Sequence, residues 1–319
     1  MRRILLPALP AAGLLLFGLF PGCGKKSPPD DPPAANLTGA EAAYRHTREI
    51  LAFGPRPPES AALQKTRQYL VEELKRTGWQ SATQSVERQV PDGRKVTFVN
   101  LLARFGSAHD PGLWKRPVTG RLAAHLDSTT FPGRRFLGAD DAASAVGVIL
   151  ELARDLQSSP ELASQLELVF FDGEEAFGSN ISPRDGLFGS KAYAARWRTA
   201  AQRPRFGIVL DMVGHRDLKI RFPGDTPVHL EKVLLETAAA EGVAKHFSRG
   251  TGPIIDDHVP LNDAGIPTID IIGDFSRFAW WHTESDNLRL ISRESLAIIL
   301  KVTRPMLESL LAPRKAAGG

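Results

Sequence analysis

Glu174 and Glu175 are adjacent carboxylates that follow directly on the apolar run Leu168 to Phe171, with only Asp172-Gly173 between. A Glu-Glu pair ordinarily marks a solvated helix face. Placed after a buried strand and a glycine, it sits where α/β folds hold their ligands. One carboxylate can then bind a metal while its neighbour stays free to carry a proton. Acid or imidazole recurs at His125, Asp141, Asp211 and His282, each at the end of an apolar run or in a loop. Nitrogen and oxygen donors without cysteine suit zinc, with bonds of ~2.0–2.2 Å, although ligand type leaves other divalent metals open. Each residue also has a plainer explanation. His125 can be a satisfied core histidine, Asp141 the N-cap of a helix starting near Ala142, and Asp211 a strand-end turn residue. Repetition at successive strand ends favours chemistry.

The elements that must position these residues are legible from periodicity. Helical spacing appears at residues 40–53, 60–77, 142–157, 190–198, 228–241 and 292–311. Short apolar strands are predicted at 96–103, 122–125, 166–171, 208–212 and 267–272, with a weaker one at 79–90. This alternation predicts a single α/β domain, its central sheet mixed but mainly parallel and covered by helices on both faces.

Composition sets the remaining bounds. A chain of 319 residues with a net charge of +4 and scattered basic side chains carries no nucleic-acid footprint. Arg2-Arg3, the apolar stretch Ile4 to Phe20 and Pro21-Gly22-Cys23 form an export signal ending at the chain's sole cysteine. Its layout resembles a bacterial lipoprotein cleavage site, although Phe20 and Pro21 depart from the usual residues there. The expected organisation is a signal or lipoprotein segment over 1–23, a proline-rich tether over 24–36, a catalytic domain over 37–312 and a tail over 313–319. Anchoring through the lipid on Cys23 would hold a monomeric enzyme on the cell envelope; without it the protein would be periplasmic or secreted. No disulfide can form with one cysteine.

Eight segments together carry a family resemblance. They are Phe53-Gly54-Pro55-Arg56, His125-Leu126-Asp127-Ser128, Gly138-Ala139-Asp140-Asp141, Phe170 to Phe177, Ser182 to Ser190, Leu210-Asp211, Asp256-Asp257-His258-Val259-Pro260 and Trp281-His282-Thr283. In order and spacing the chain resembles the metal-dependent glutaminyl-peptide cyclotransferases, which are similar to co-catalytic zinc aminopeptidases. The resemblance implies zinc ligands at Asp141, Glu175 and His282, and a general base and acid at Glu174. It also implies hydrogen-bonding acids at Asp211 and Asp256, and an aromatic wall at Trp281; Phe177 and His125 are further expected substrate contacts. Three departures stand out. Asn180 takes the place of a tryptophan in the animal enzymes, Asp270 takes that of a histidine near the acids, and the disulfide beside the metal is missing.

The implied reaction closes the N-terminal glutamine of a peptide or protein onto its own α-amine, giving pyroglutamate and ammonia. The alternative is a two-metal aminopeptidase, in which His125 and Asp211 complete a second site, Asp141 bridges and Glu174 activates water. A catalytically dead receptor-like domain is the third reading, disfavoured because no ligand or base position is lost.

Overall fold

Strand residues in this chain alternate between two apolar environments, and that alternation explains the layering. In the computed structural model, which describes residues 38–277 and 279–312, the strands are β1 (Trp79–Gln89), β2 (Lys95–Phe105), β3 (Gly120–His125), β4 (Leu166–Phe171), β5 (Phe206–Asp211), β6 (Ile220–Phe222), β7 (Phe247–Arg249) and β8 (Thr268–Ile272). Six form one sheet in the order β1-β2-β4-β3-β5-β8; β6 and β7 form a separate parallel pair. The pairs β1/β2 and β2/β4 are antiparallel, whereas β4/β3, β3/β5 and β5/β8 are parallel. The sheet is therefore mixed and mainly parallel, as the alternation of elements predicts.

The helices are α1 (Gly39–Ala52), α2 (Ala61–Arg76), α3 (Ala145–Leu156), α4 (Pro160–Ala163), α5 (Phe188–Ala195), α6 (Val228–Ala240), α7 (His258–Asp263) and α8 (Arg293–Leu311). Leu122, Ala124, Leu168, Phe170, Ile208 and Leu210 share one buried cluster with residues of α1, α3, α6 and α8. Their neighbours Ala123, Val169, Phe171 and Val209 belong to a second cluster with Tyr193 and Ala194 of α5 and Leu261 of α7. A strand sends successive side chains to opposite faces, so both faces are covered. Central strands covered on both sides read as continuous apolar runs, which is why β4 and β5 are visible in the sequence.

Serine hydroxyls set two helix starts: Ser60 Oγ accepts from Leu63 N, and Ser292 Oγ accepts from Ser295 N. Elsewhere the boundaries differ. The helix expected from residue 142 runs regularly only from Ala145, after a wide turn over Ala139–Ser144 in which Asp141 (φ −101, ψ 87) and Ala142 (φ −122, ψ 34) are not helical. Asp141 is accordingly not an N-cap. The helix α5 spans Phe188–Ala195 rather than 190–198. Elements as short as α4, β6, β7 and α7 span too few residues for periodicity to reveal them. The export segment, tether and tail expected at 1–36 and 313–319 lie outside the described residues. No helix among the described residues is long and apolar enough to cross a membrane.

A buried ion cluster clamps the sheet near the start of its parallel strands. Glu167, the second residue of β4, accepts hydrogen bonds from Arg104 Nε (2.6 Å), Arg196 Nη2 (2.7 Å) and the Tyr193 hydroxyl (2.6 Å), with Arg121 Nε at 3.2 Å. Burial works to raise its carboxyl, but the guanidinium groups, Arg121 foremost, hold it below the usual range. Removing one member leaves buried cations unpaired. Glu167→Ala should cost roughly 3–5 kcal/mol of stability, read as a fall in denaturant midpoint at unchanged slope; an unmoved midpoint would refute the clamp.

Candidate metal and active site

The parallel strands all deliver their C-terminal ends to one rim, and the candidate residues collect there. His125 ends β3, Asp211 ends β5, and Glu174 and Glu175 follow β4 by three and four residues. The turn after β3 supplies Asp141, and the loop after β8 supplies His282. Asp141 lies between two groups. Its Oδ1 is 3.0 Å from His125 Nε2, which is 3.5 Å from Asp211 Oδ1. Its Oδ2 is 3.5 Å from His282 Nε2, itself 3.5 Å from Glu175 Oε2. The donor atoms of Asp141, Glu175 and His282 all lie within 4.8 Å of one another, and so do those of His125, Asp141 and Asp211.

These groups are buried without the partners that burial demands. His125 is 2% exposed, and its ring nitrogens face carboxylate oxygens of Asp127, Asp141 and Asp211 without hydrogen-bond geometry; Glu175 Oε1 and Asp211 Oδ1 likewise make no hydrogen bond. Buried polar atoms nearly always find a partner. Convergent carboxylates and imidazoles with lone pairs to spare fit a divalent metal, so the donor set passes on chemistry as well as on distance.

Neighbouring backbone explains how so much like charge is held in place. Both oxygens of Asp127 accept from the amides of the adjacent acids, Glu174 N at 3.1 Å and Glu175 N at 3.3 Å. Asp286 does the same for the other arm, accepting from Asp140 N at 2.8 Å and Asp141 N at 3.2 Å. Arg56 is fully buried and joins the two arms: it donates to the carbonyls of Leu126 (3.0 Å), Leu137 (2.7 Å) and Gly138 (3.0 Å). Asp140 is tied elsewhere, its Oδ1 accepting from Gly214 N and Ser144 Oγ. Gly173 turns the chain between β4 and the Glu pair at φ +74, where a Cβ would lie 2.3 Å from the Phe98 ring. Only glycine fits that turn.

Beside this cluster opens a cavity of about 370 Å³. Asp141, Glu174, Glu175, Asp211, Asp256, Trp281 and His282 contribute to its wall. Burial, reinforced by the charges of Asp256 and Glu175, pushes the Glu174 carboxyl well above the ordinary range, against the opposing effect of His125. Burial likewise raises Asp211, takes Asp256 to about 7 and takes Asp270 to about 8. Acids that interact this closely titrate as a group rather than one by one. Trp281 is 38% exposed and stacks on the His282 ring at 4.1 Å, with Phe275 4.9 Å away. His282 and Met212, both on the cavity wall, adopt left-handed backbone (φ 54 and φ 52), a conformation that concentrates at functional sites.

Two expected substrate contacts sit elsewhere. Phe177 packs edge-on against Phe98 and Phe188 and faces an adjoining cavity of about 220 Å³. A chain reversal drives this: Asp185 accepts from Phe177 N and Gly178 N and turns the segment back. His125 lies beneath Asp141 and Asp211 rather than on the cavity wall. Asn180, where the animal enzymes carry tryptophan, does line the cavity. Asp270 lies 3.3 Å from His258 Nδ1, forming with Asp256 a further buried group. Sequence reasoning assigned no part to Asp286 or Asp127. Nothing in the polar run around Asp286 distinguishes it, whereas Asp127 lies two residues past a strand-end histidine and could have been found there.

Residues 115–307 match the model of Peptidase family M28. The chain is 30% identical over 282 residues to a glutaminyl-peptide cyclotransferase of Drosophila melanogaster, covering 78% of this chain and 76% of that protein. Its fold superposes on a glutaminyl cyclase of Porphyromonas gingivalis with a TM-score of 0.75 and 31% identity, over 85% of this chain and 98% of the other. A Zn-dependent exopeptidase of Parabacteroides distasonis superposes with a TM-score of 0.74 and 28% identity, over 86% and 98%. The match over residues 115–307 and the likeness to these relatives along most of the chain place the protein within peptidase family M28, beside the glutaminyl-peptide cyclotransferases.

Proposed function

We propose that the protein is a zinc-dependent glutaminyl-peptide cyclotransferase acting on peptides or proteins that begin with glutamine. The observation that carries this reading is the convergence of Asp141, Glu175 and His282 beside Glu174 on the wall of one cavity. A zinc ion held by those three residues would supply polarisation of the side-chain amide carbonyl when bound. The rest falls to the chain's own side chains. The α-amine attacks the amide carbon within the same residue, so no outside nucleophile is needed, and holding the glutaminyl chain folded makes the attack effectively unimolecular. Glu174 accepts the proton released as the new N–C bond forms and returns it to the departing nitrogen, which leaves as ammonia. Asp211 and Asp256, on the same wall, hold the amide nitrogen by accepting its hydrogen bonds. Trp281 supplies an apolar face against which the glutamine side chain folds.

A second reading is favoured by one observation: His125, Asp141 and Asp211 make a second ligand group that shares Asp141 with the first. Such a bridged pair suits a two-metal aminopeptidase, with Glu174 activating water. We further infer the organisation expected from the N-terminal segment: a lipid anchor on Cys23, a tether over 24–36 and a monomeric catalytic domain over 37–312. One acyl chain binds a membrane only marginally, so stable anchoring needs several.

Glu174→Gln should keep its zinc yet lose roughly 10²–10⁴-fold in turnover. Zinc content and cyclisation rate measured on one preparation check this, and near-normal turnover would sink the assignment. His282→Ala should lose zinc and activity together, while the parent protein should carry one zinc per chain by elemental analysis. Two zinc ions, with a free amino acid released from a Leu-initiated peptide, would establish the peptidase instead. Cys23→Ser should move the mature protein from the detergent to the aqueous phase; unchanged partitioning would refute lipidation.

A further inference from the structure

The cavity beside Glu174 extends from the carboxylates to an apolar wall. Pro253, Ile254 and Phe275 line it, and the same three residues line a second cavity of about 240 Å³. They form an apolar ridge that the two adjoining cavities share. The second space is bounded by the glycine-rich run that includes Gly252, and by Arg221 and Asp274. Arg221 Nη1 stands 3.6 Å from Asp274 Oδ2, beyond hydrogen-bonding distance, and Asp274 Oδ1 is taken up by the Ser276 hydroxyl at 2.6 Å. The Arg221 guanidinium, with its five N–H donors, thus keeps capacity for another acceptor. A Cβ added at Gly252 would meet no atom within 4 Å, so the floor beside it is open.

We propose that this second cavity is a subsite for the residues that follow the first two of an extended peptide substrate, with Arg221 donating to their backbone carbonyls. The inference rests on the cyclotransferase reading above. An extended chain advances about 3.3 Å per residue. With the N-terminal glutamine folded beside Glu174, the second residue crosses the ridge, where Ile254 and Phe275 favour an apolar side chain. The third and fourth residues then lie over the open glycine backbone. Peptides and protein N-termini of three or more residues are accordingly cyclised more efficiently than glutaminyl dipeptides.

The test is kcat/KM for cyclisation of amidated Gln-Phe peptides of two, three and four residues by the metal-loaded protein. The tetrapeptide should exceed the dipeptide on the order of tenfold, the scale of a hydrogen bond to a charged group. Arg221→Ala should bring that ratio toward one, and so should Gly252→Leu, which fills the open floor. Because both substrates are measured on the same preparation, a partial folding defect cancels from the ratio. A flat length series in the parent protein, or a ratio that survives both substitutions, overturns the subsite. Cyclisation of none of the peptides would refute the cyclotransferase reading itself, and the subsite with it.

Discussion

Like charge held out of water is the constraint on which this structure turns. Asp127, Asp140, Asp141, Glu174, Glu175, Asp211 and Asp256 are all buried around the C-terminal rim of the sheet, with Asp286 tied to them and Asp270 just inside on β8. Two like charges ~4 Å apart repel by about 4 kcal/mol at an effective dielectric of about 20, and each also loses its hydration. Such a cluster persists only if protons, cations or oriented dipoles neutralise it. All three devices are available. Glu174, Asp211, Asp256 and Asp270 are pushed toward protonation by burial. The paired groups around Asp141 offer lone pairs to a divalent ion, and Asp127 and Asp286 face backbone amides.

The arrangement of those amides explains why the acids divide into roles. Asp127 and Asp286 spend their oxygens on main chain, so they hold the loops and have little left for a ligand. Asp141 and Glu175, whose own amides are held by those residues, present carboxylates to His125 and His282 in a fixed direction. Arg56 then locks the two loops to each other through three carbonyls. A fixed ligand shell of this kind is what sets metal affinity and geometry, and the outer partners matter nearly as much as the ligands. The buried Glu167 cluster, near the start of β3 and β4, keeps the same strands in register from the other end.

On the open side the balance is different. The wall passes from carboxylates to Trp281 and Phe275, then to Ile254 and a glycine-lined floor. Chemistry is confined to the charged end, and recognition of whatever follows the reacting residue falls to apolar contact and backbone hydrogen bonding. That division suits a substrate defined by its first residue and by being a chain.

Fold class was legible in local pattern, and so was which acids and histidines end the apolar runs. Buried parallel strands must be continuous apolar runs, so β3, β4 and β5 announced themselves, and the acids and histidine that follow them had to share the sheet's C-terminal rim. Long amphipathic helices were equally plain. Contacts between segments distant in the chain settled the rest. Phe177, four residues past Gly173, was taken from the cavity by the hydrogen bonds of Asp185 and by the rings of Phe98 and Phe188. His125 was carried beneath the wall by its place on the central strand. Asp286 reaches Asp140 and Asp141 across some 145 residues, with no local pattern to mark it. Local periodicity reports which face of an element is buried; which side chains meet across the rim is set by how the loops are tied together.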